Sequence, residues 1–367
     1  MSNRDNSEEP AVTPPSRGRD GWLCAAVAAL TVFGVVYQVR LAGTLPTLED
    51  ALPVGLGVGG AVTAACLFGR GRFARLTGGM GTALAYGLAL AAVGGLLVFG
   101  QRYRGGLYLP GRMNPSELVK LCLVVACAGW LGSVKKADCK RFFVLAIGVG
   151  VLLGLVAIAG DFGLAAQLVV TVAMVVWAAS WWWGLAAFAL LGGAIWAVAQ
   201  HPVGHLATRF SVWRDPFTDV TGAGWQTLQG LTAVISGGWT GRGLGLGDVG
   251  AVPIVASDFV YAAVAEELGW VGCAAVLGTW CLILFRGLLA ALRRAREGDR
   301  VAAYAATGLV ASLAVQLFLN VAGVLNALPM TGITLPLVSL GGSSLATTLV
   351  MCGVLIGLSS SASRPAP

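Results

Sequence analysis

The sequence predicts an all-α polytopic membrane protein of about ten transmembrane helices. Both termini are expected to be cytoplasmic, with one large extracytoplasmic loop between spans 7 and 8. Three observations carry this reading. Apolar residues make up 57% of the 367 residues and charged residues only 11%, against roughly 25% charged in a typical soluble domain. So few charges cannot cover a water-facing surface, and so apolar a chain excludes disorder. Ten runs reach or approach the ~20 apolar residues that cross a bilayer. The basic residues fall unevenly on the two sides of those runs. The 53 glycines suit closely packed membrane helices.

The first run, 22–39, follows a tail (1–21) of mixed charge containing Pro10, Pro14 and Pro15. Its length and the lack of a cleavage signature favour a retained helix over a signal peptide. Runs at 51–69 and 78–100 come next. The run at 114–132 is the weakest, because it carries Glu117 and Lys120. Only Gly160 and Asp161 divide 142–160 from 162–180. Runs at 181–200, 259–285, 301–324 and 337–358 complete the transmembrane domain (22–358), and a short tail (359–367) ends the chain. With the N-terminus inside, sixteen of the 24 Lys and Arg residues fall in the cytoplasmic segments, including Arg70, Arg72, Arg75, Lys135, Lys136, Lys140, Arg141, Arg286, Arg293 and Arg294. Seven fall outside, and Lys120 lies within a span. That is the positive-inside bias, so the net charge of +7 records topology, and nucleic acid is not an expected partner. Seven of the eight cysteines sit in apolar runs and none forms a CxxC pair. They read as small buried thiols, with neither a metal nor a disulfide implied.

The segment 201–258 stands apart. A loop this long in a compact domain is functional or a linker, and its Gly, Trp and paired charges do not resemble a flexible linker. Six ionisable residues lie within or at the edge of the spans: Glu117, Lys120, Asp161, Asp258, Glu266 and Glu267. Such groups are costly in a bilayer and are functional candidates. Glu117 and Lys120, three residues apart, share a helix face. They form either a self-neutralising ion pair or a charged patch lining a cavity for an anionic substrate. Asp161 and Asp258 each precede a span, as an N-cap or as an acid at a cavity mouth. Glu266 and Glu267 follow Asp258 by two turns; being adjacent, at most one lines a cavity. Arg209, Arg214 and Gln226 lie in the loop. The arginines are solvated charges or ligands for phosphate or pyrophosphate. His201 and His205 flank the loop entrance without carboxylates at ligand spacing, so no metal site is expected there. No repeat of helical hairpins is visible, which argues against a repeat-built transporter.

Several motifs occur together. Residues 209–269 read RFSVWRDPFTDVTGAGWQTLQGLTAVISGGWTGRGLGLGDVGAVPIVASDFVYAAVAEELG. This segment resembles the large outer loop and following helix of the SEDS proteins (shape, elongation, division and sporulation: FtsW, RodA and SpoVE). The counterparts are Pro216, Asp219, GAGWQ at 222–226, SGG at 236–238, GRGLG at 241–245, SDFVYA at 257–262 and EELG at 266–269. NPSELVK at 114–120 is similar to the family's QPSELxK, LPMTGITLPLVSLGGSS at 328–344 to LPxTGIxLPFxSYGGSS, and GDFG at 160–163 to PDLGT. The motifs keep the family's order from about residue 105 onward. The sequence departs from the pattern where Ile254 replaces the acid of LPEA, Trp225 a Tyr, Gly230 the Ser of QS and Gly160 the Pro of PDLGT. Residues 105–112 stand where the family has GxRRW.

The resemblance implies a peptidoglycan glycosyltransferase of the bacterial inner membrane that polymerises lipid II during elongation, division or sporulation. The family's essential Asp maps onto Asp258, implying a general base that takes the proton of the attacking sugar hydroxyl. A lipid pyrophosphate is already a good leaving group, so the paired acid of glycoside hydrolysis is not required. Lys120, Arg209 and Arg214 are candidates to counter the charge developing on the pyrophosphate. A divalent cation (Mg or Mn) could assist; no organic cofactor is implied. Glu117 would hold Lys120, and Asp161 would complete the polar cavity. Gln226 and Glu266 join the candidate substrate-binding set. The implied partners are a class B penicillin-binding protein that crosslinks the strands and other proteins of elongation or division complexes. The competing readings are a lipid II flippase or other lipid transporter, an inactive scaffold of a cell-wall complex, and another glycosyltransferase using polyprenyl-linked sugars.

Overall fold

The computed structural model describes residues 19–43, 48–68, 73–103, 106–109, 114–134, 138–200 and 205–360. Most of the two predicted tails, His201 and the side chain of His205 lie outside the described residues. In chain order the helices are α1 (Gly21–Ala42), α2 (Leu48–Leu67), the single turn α3 (Phe73–Leu76), α4 (Gly79–Phe99), α5 (Ser116–Gly132), α6 (Cys139–Ile158), α7 (Phe162–Ala179), α8 (Trp181–Gln200), α9 (His205–Arg214), α10 (Trp225–Gly237), α11 (Val260–Arg296), α12 (Arg300–Val324) and α13 (Gly342–Ser359). A small antiparallel hairpin, β1 (Gln101–Tyr103) and β2 (Gly106–Tyr108), follows α4.

The ten long helices answer to the ten predicted spans. Among the described residues, α1, α4, α6, α7, α11, α12 and α13 are long and apolar enough to cross a membrane. α2 and α8 contribute the shorter apolar stretches Ala51–Leu67 and Trp181–Gly193. α5 has 17 residues and brings Glu117 and Lys120 with it. Three details differ from expectation. The hairpin β1–β2 adds strand to an all-α prediction. α11 runs 37 residues, well past the predicted 285, and breaks at Gly269 (φ 66°). The part after the break, 270–296, is about 40 Å long at 1.5 Å per residue, so it outreaches a ~30 Å hydrocarbon core. The last predicted span begins at Gly342 instead of 337, because residues 325–341 are an irregular segment: Pro336 has no N–H to give a helix and Leu337 sits at φ 62°.

α12 is the central helix, packed against α5, α7 and α11. Ser312, Gln316 and Asn320 are spaced four residues apart on it and are all essentially unexposed, so they form one polar stripe inside an apolar bundle.

α1 ties the two ends of the bundle. At its start, Asp20 caps the helix by accepting from Leu23 N at 3.1 Å. The same carboxylate accepts from Arg286 Nε at 2.8 Å and pairs with Arg286 Nη2 at 2.7 Å and Arg293 Nη2 at 3.3 Å. Beside it the buried Arg294 donates to Leu358 O at 2.9 Å and Ser360 O at 2.7 Å. The first helix and the ends of α11 and α13 are thereby clamped at the basic end. At its other end α1 reaches the loop: Gln38 Nε2 donates to Ala256 O at 3.0 Å, and Arg40 pairs with Glu267. The loop therefore lies at the end opposite the basic clamp.

The loop is folded. α10 lies on α11, and a Cβ on Gly230 would overlap the Phe259 ring, so the residue that departs from the family's Ser gives that ring its room. The break at Gly269 orphans helical carbonyls and amides, and the glycine-rich stretch satisfies them. Arg242 N and Gly243 N donate to Glu266 O (2.8 Å) and Glu267 O (3.0 Å), while Trp270 N and Val271 N donate to Gly238 O (3.0 Å) and Trp239 O (3.1 Å). Gly241, at φ 79°, allows the approach, since a Cβ there would overlap Glu267 O.

Two outcomes are expected. Burial alone would raise the Asp20 carboxyl, but the hydrogen bonds from Arg286 and Leu23 and the charge of Arg293 outweigh it and hold the group below the usual carboxylate value. A depressed folded value stabilises the fold above about pH 4, the unfolded value, and that stability is lost as pH falls through the folded one. Thermal midpoints of purified protein should therefore drop as pH falls below about 4, and Asp20→Asn, costing roughly 1–3 kcal/mol at pH 7, should flatten that dependence. Gly241→Ala should cost about 2–4 kcal/mol, read as a lowered midpoint at unchanged helicity.

Candidate active site

The site is built where irregular backbone enters the bundle. α5 begins at Asn114, whose Oδ1 accepts from Ser116 N at 3.1 Å, the local turn that starts a helix. Asn114 N donates to Ser343 Oγ at 3.3 Å, joining this turn to the start of α13. One turn on, Lys120 is 1% exposed. It pairs with Glu117 and donates from Nζ to Gln316 Oε1 at 2.9 Å. Gln316 Nε2 in turn donates to Thr334 O at 3.2 Å and to Ser344 Oγ at 3.3 Å. On α7, Gln167 Nε2 donates to Ser312 O at 2.9 Å. A continuous polar network thus joins α5, α7, α12 and the irregular segment before α13.

Asp258 sits at the end of the loop, just before α11. Its backbone is held from several sides. Asn320 Nδ2 donates to Asp258 O at 3.0 Å and to Ile333 O at 2.7 Å. Ser339 Oγ donates to Ser257 O, and Leu340 N donates to Ala256 O at 2.8 Å. Gln38 Nε2 bridges Ala256 O and Val338 O. The Asp258 carboxylate points toward Gly332, which is at φ 73°. Asp258 Oδ2 lies 3.8 Å, and Arg209 Nη2 3.9 Å, from where a Cβ on Gly332 would stand. Arg209 also donates through Nη1 to Met330 O at 3.0 Å. Acid and guanidinium therefore converge over one glycine.

Asp161 N-caps α7, accepting from Leu164 N at 2.9 Å, the first of its two expected roles. Burial pushes its carboxyl up, the nearby Glu117 charge adds to that, and the Leu164 bond, Lys120 and Arg209 pull the other way. Gly163 lies against Thr331 O and Ile333, which brings Asp161 to the same segment.

The structure thus brings Glu117, Lys120, Asp161, Arg209 and Asp258 around residues 330–334. Arg214 is exposed in the last turn of α9, and Gln226 is half-buried in the first turn of α10. Glu266 turns elsewhere: it pairs with Arg242 at 3.0 Å and accepts from Asp248 N at 2.9 Å. Glu267 pairs with Arg40 and accepts from Tyr37 OH at 3.0 Å. Both acids fasten the glycine-rich stretch. Gln316, Asn320 and Gln167 escaped the sequence reading, which weighed only ionisable groups. Their signal was amides within apolar spans, which need polar partners.

Fold and site together define a multi-pass membrane protein in which carboxylates and an arginine gather around residues 330–334, on the side of the folded loop. Residues 108–364 match the FtsW/RodA/SpoVE family of cell cycle proteins, and the chain belongs to that family. It is 33% identical over 364 residues to the probable peptidoglycan glycosyltransferase FtsW of Halomonas elongata, covering 92% of this chain and 89% of that protein. It is 40% identical over 161 residues to the peptidoglycan glycosyltransferase RodA of Mycobacterium tuberculosis, where the match covers 44% of this chain and 34%, about a third, of the relative. A chain from a peptidoglycan synthase complex, solved to show how polymerization and crosslinking are coordinated, superimposes with a TM-score of 0.75 at 28% identity, over 93% of this chain and 97% of that one.

Breaking the Glu117–Lys120 pair leaves a buried ammonium with half its partners. Glu117→Gln should destabilise the protein by roughly 2–4 kcal/mol, and Glu117→Gln with Lys120→Met should recover most of that loss in thermal unfolding, because no charge is then left unpaired. Gly332→Val adds a branched side chain at positive φ between Asp258 and Arg209. It should cost about 1–3 kcal/mol of stability.

Proposed function

We propose that the protein is a glycosyltransferase that polymerises lipid II into glycan strands at the outer face of the bacterial inner membrane. The observation that carries this is the convergence of Asp258 and Arg209 on Gly332, in a family whose relatives bear the name peptidoglycan glycosyltransferase. The acceptor sugar's hydroxyl oxygen attacks the anomeric carbon of the donor. As that C–O bond forms, the O–H bond breaks and its proton passes to the Asp258 carboxylate. The bond from the anomeric carbon to the pyrophosphate oxygen breaks with inversion. The electron pair leaves on the pyrophosphate, where Arg209, with Arg214 further along the same helix, counters the charge. Lys120 spends its charge on Glu117 and Gln316, so it acts from behind the surface and holds Glu117 in place. Asp161, which also caps α7, accepts a hydrogen bond from a sugar or peptide group.

Among the described residues no group of three or more His, Cys, Asp or Glu side chains could hold a metal ion. A divalent cation would arrive on the substrate's own phosphates, with one or two carboxylates completing its shell.

The polar stripe also bears on transport. It ends at Ser312, and below it α12 buries Ala302, Ala305, Ala306 and Leu309. Between Ser312 and the basic end the polar side chains of α12 are Thr307, whose hydroxyl donates to Ala303 O, and Tyr304, both only partly buried, so the fully buried stripe stops at Ser312, which favours chemistry at one mouth over passage. The crosslinking partner is a class B penicillin-binding protein, in keeping with the synthase complex that this chain resembles, within the complexes that drive elongation or division.

Purified protein, alone and with such a partner, should turn fluorescent lipid II into a ladder of glycan strands. Asp258→Asn should lower the rate by about 10²–10⁴ at an unchanged thermal midpoint. Ladders of equal intensity from Asp258→Asn would remove it as the base.

A further inference from the structure

At the basic end, away from Asp258, α4, α5 and α6 enclose a cavity of about 380 Å³, within the size range of small-ligand pockets. Its walls are apolar: Ala83, Leu123, Ala126, Val144 and Val149. The helices that flank it expose Leu84, Phe143 and Ile147 at more than half their surface, so the cavity opens between ridges that face lipid. Its mouth is polar and fixed. Arg141 Nη1 donates to Trp130 O at 2.8 Å and to Ser133 Oγ at 3.1 Å, which spends both hydrogens of that nitrogen. Trp130 Nε1 donates back to Arg141 O at 3.0 Å, and the guanidinium lies 5.0 Å from the Trp130 ring centroid, in cation–π range. Nε and Nη2 remain for an anion. Arg141 is the one charged side chain among the described residues lining the cavity, and Lys140, next to it in sequence, is exposed.

We propose that this cavity binds an anionic phospholipid of the leaflet on the basic side. One acyl chain fills the apolar chamber, and the phosphate sits on the clamped guanidinium of Arg141. Charge complementarity selects this occupant. A zwitterionic lipid offers the same chain but brings its own cation beside the Arg141 guanidinium, whereas an anionic headgroup brings none. The fixed Arg141 fork suits a phosphate better than a mobile lysine would. The site is separate from the lipid-linked substrate's cavity, at the opposite end of the bundle, and does not depend on the reaction proposed there.

The test is native mass spectrometry of the delipidated full chain, titrated with phosphatidylglycerol and with phosphatidylcholine of identical chains. Wild type should retain phosphatidylglycerol preferentially. Arg141→Gln should weaken phosphatidylglycerol binding about fivefold and phosphatidylcholine binding less, so that the preference between them shrinks. Ala83→Phe, at an exposed wall position that tolerates a larger side chain, should weaken both by filling the chamber. Equal retention of the two lipids by wild type would overturn the proposal, as would an undiminished preference in Arg141→Gln. Should Arg141→Gln fail to fold, unchanged binding in Ala83→Phe overturns it alone.

Discussion

The structure depends on one constraint: backbone that is not helical must find hydrogen-bond partners even where water is absent. Two such segments meet here, the end of the loop before α11 and the stretch before α13. Their amides and carbonyls would each cost free energy if left unpaired. The partners are a few amide and hydroxyl side chains on straight helices. Gln38 on α1 takes Ala256 O and Val338 O, Gln316 on α12 takes Thr334 O, and Asn320 takes Asp258 O and Ile333 O. One amide that holds two irregular strands at once fixes their spacing as well as satisfying them.

That spacing is what the site needs. A general base and a counter-charge work only if their separation is set before substrate arrives, since reorganising them during reaction would forfeit the electrostatic gain. Asp258 is positioned through its own carbonyl by Asn320, and Arg209 through Met330 O. Both therefore take their register from the same segment, and Gly332 lies between them. The network that runs back through Gln316 to Lys120 and Glu117 extends this framework across α5. A buried ion pair adds little net stability; here, through Lys120 and Gln316, it joins α5 to α12.

Much of this was legible in the sequence, and the reasons are physical. Spans are long apolar runs, so composition locates them to within a few residues. Asp258, Asp161, Glu117 and Lys120 are charges in costly places, and they stand out for that reason alone. What escaped is what costs little in a linear reading. Gln316 and Asn320 lie in a run that still scores as apolar, and their meaning comes only from the carbonyls opposite. Glu266 and Glu267 carried the same alarm as Asp258, yet they face Arg242 and Arg40. No sequence spacing reveals which way α11 is turned after Asp258. The start of α13 was misplaced because apolar residues 337–341 continue the hydropathy of the helix while their backbone does not.

The same constraint accounts for strain beside the acid. Ile254 takes φ 56°, a region that costs a β-branched residue on the order of 1–2 kcal/mol. Its carbonyl accepts from Ser257 N at 3.1 Å and Asp258 N at 3.2 Å. The left-handed residue therefore closes the turn that ends at Asp258. A relaxed conformation at 254 would release that carbonyl and swing 256–258 away from Gln38, Ser339 and Asn320 together. Four tertiary hydrogen bonds on those three residues are worth about 1 kcal/mol each, which exceeds the strain at one. The chain keeps the turn because the helices around it have already fixed where those carbonyls must lie, and the acid is delivered to Gly332 as a result.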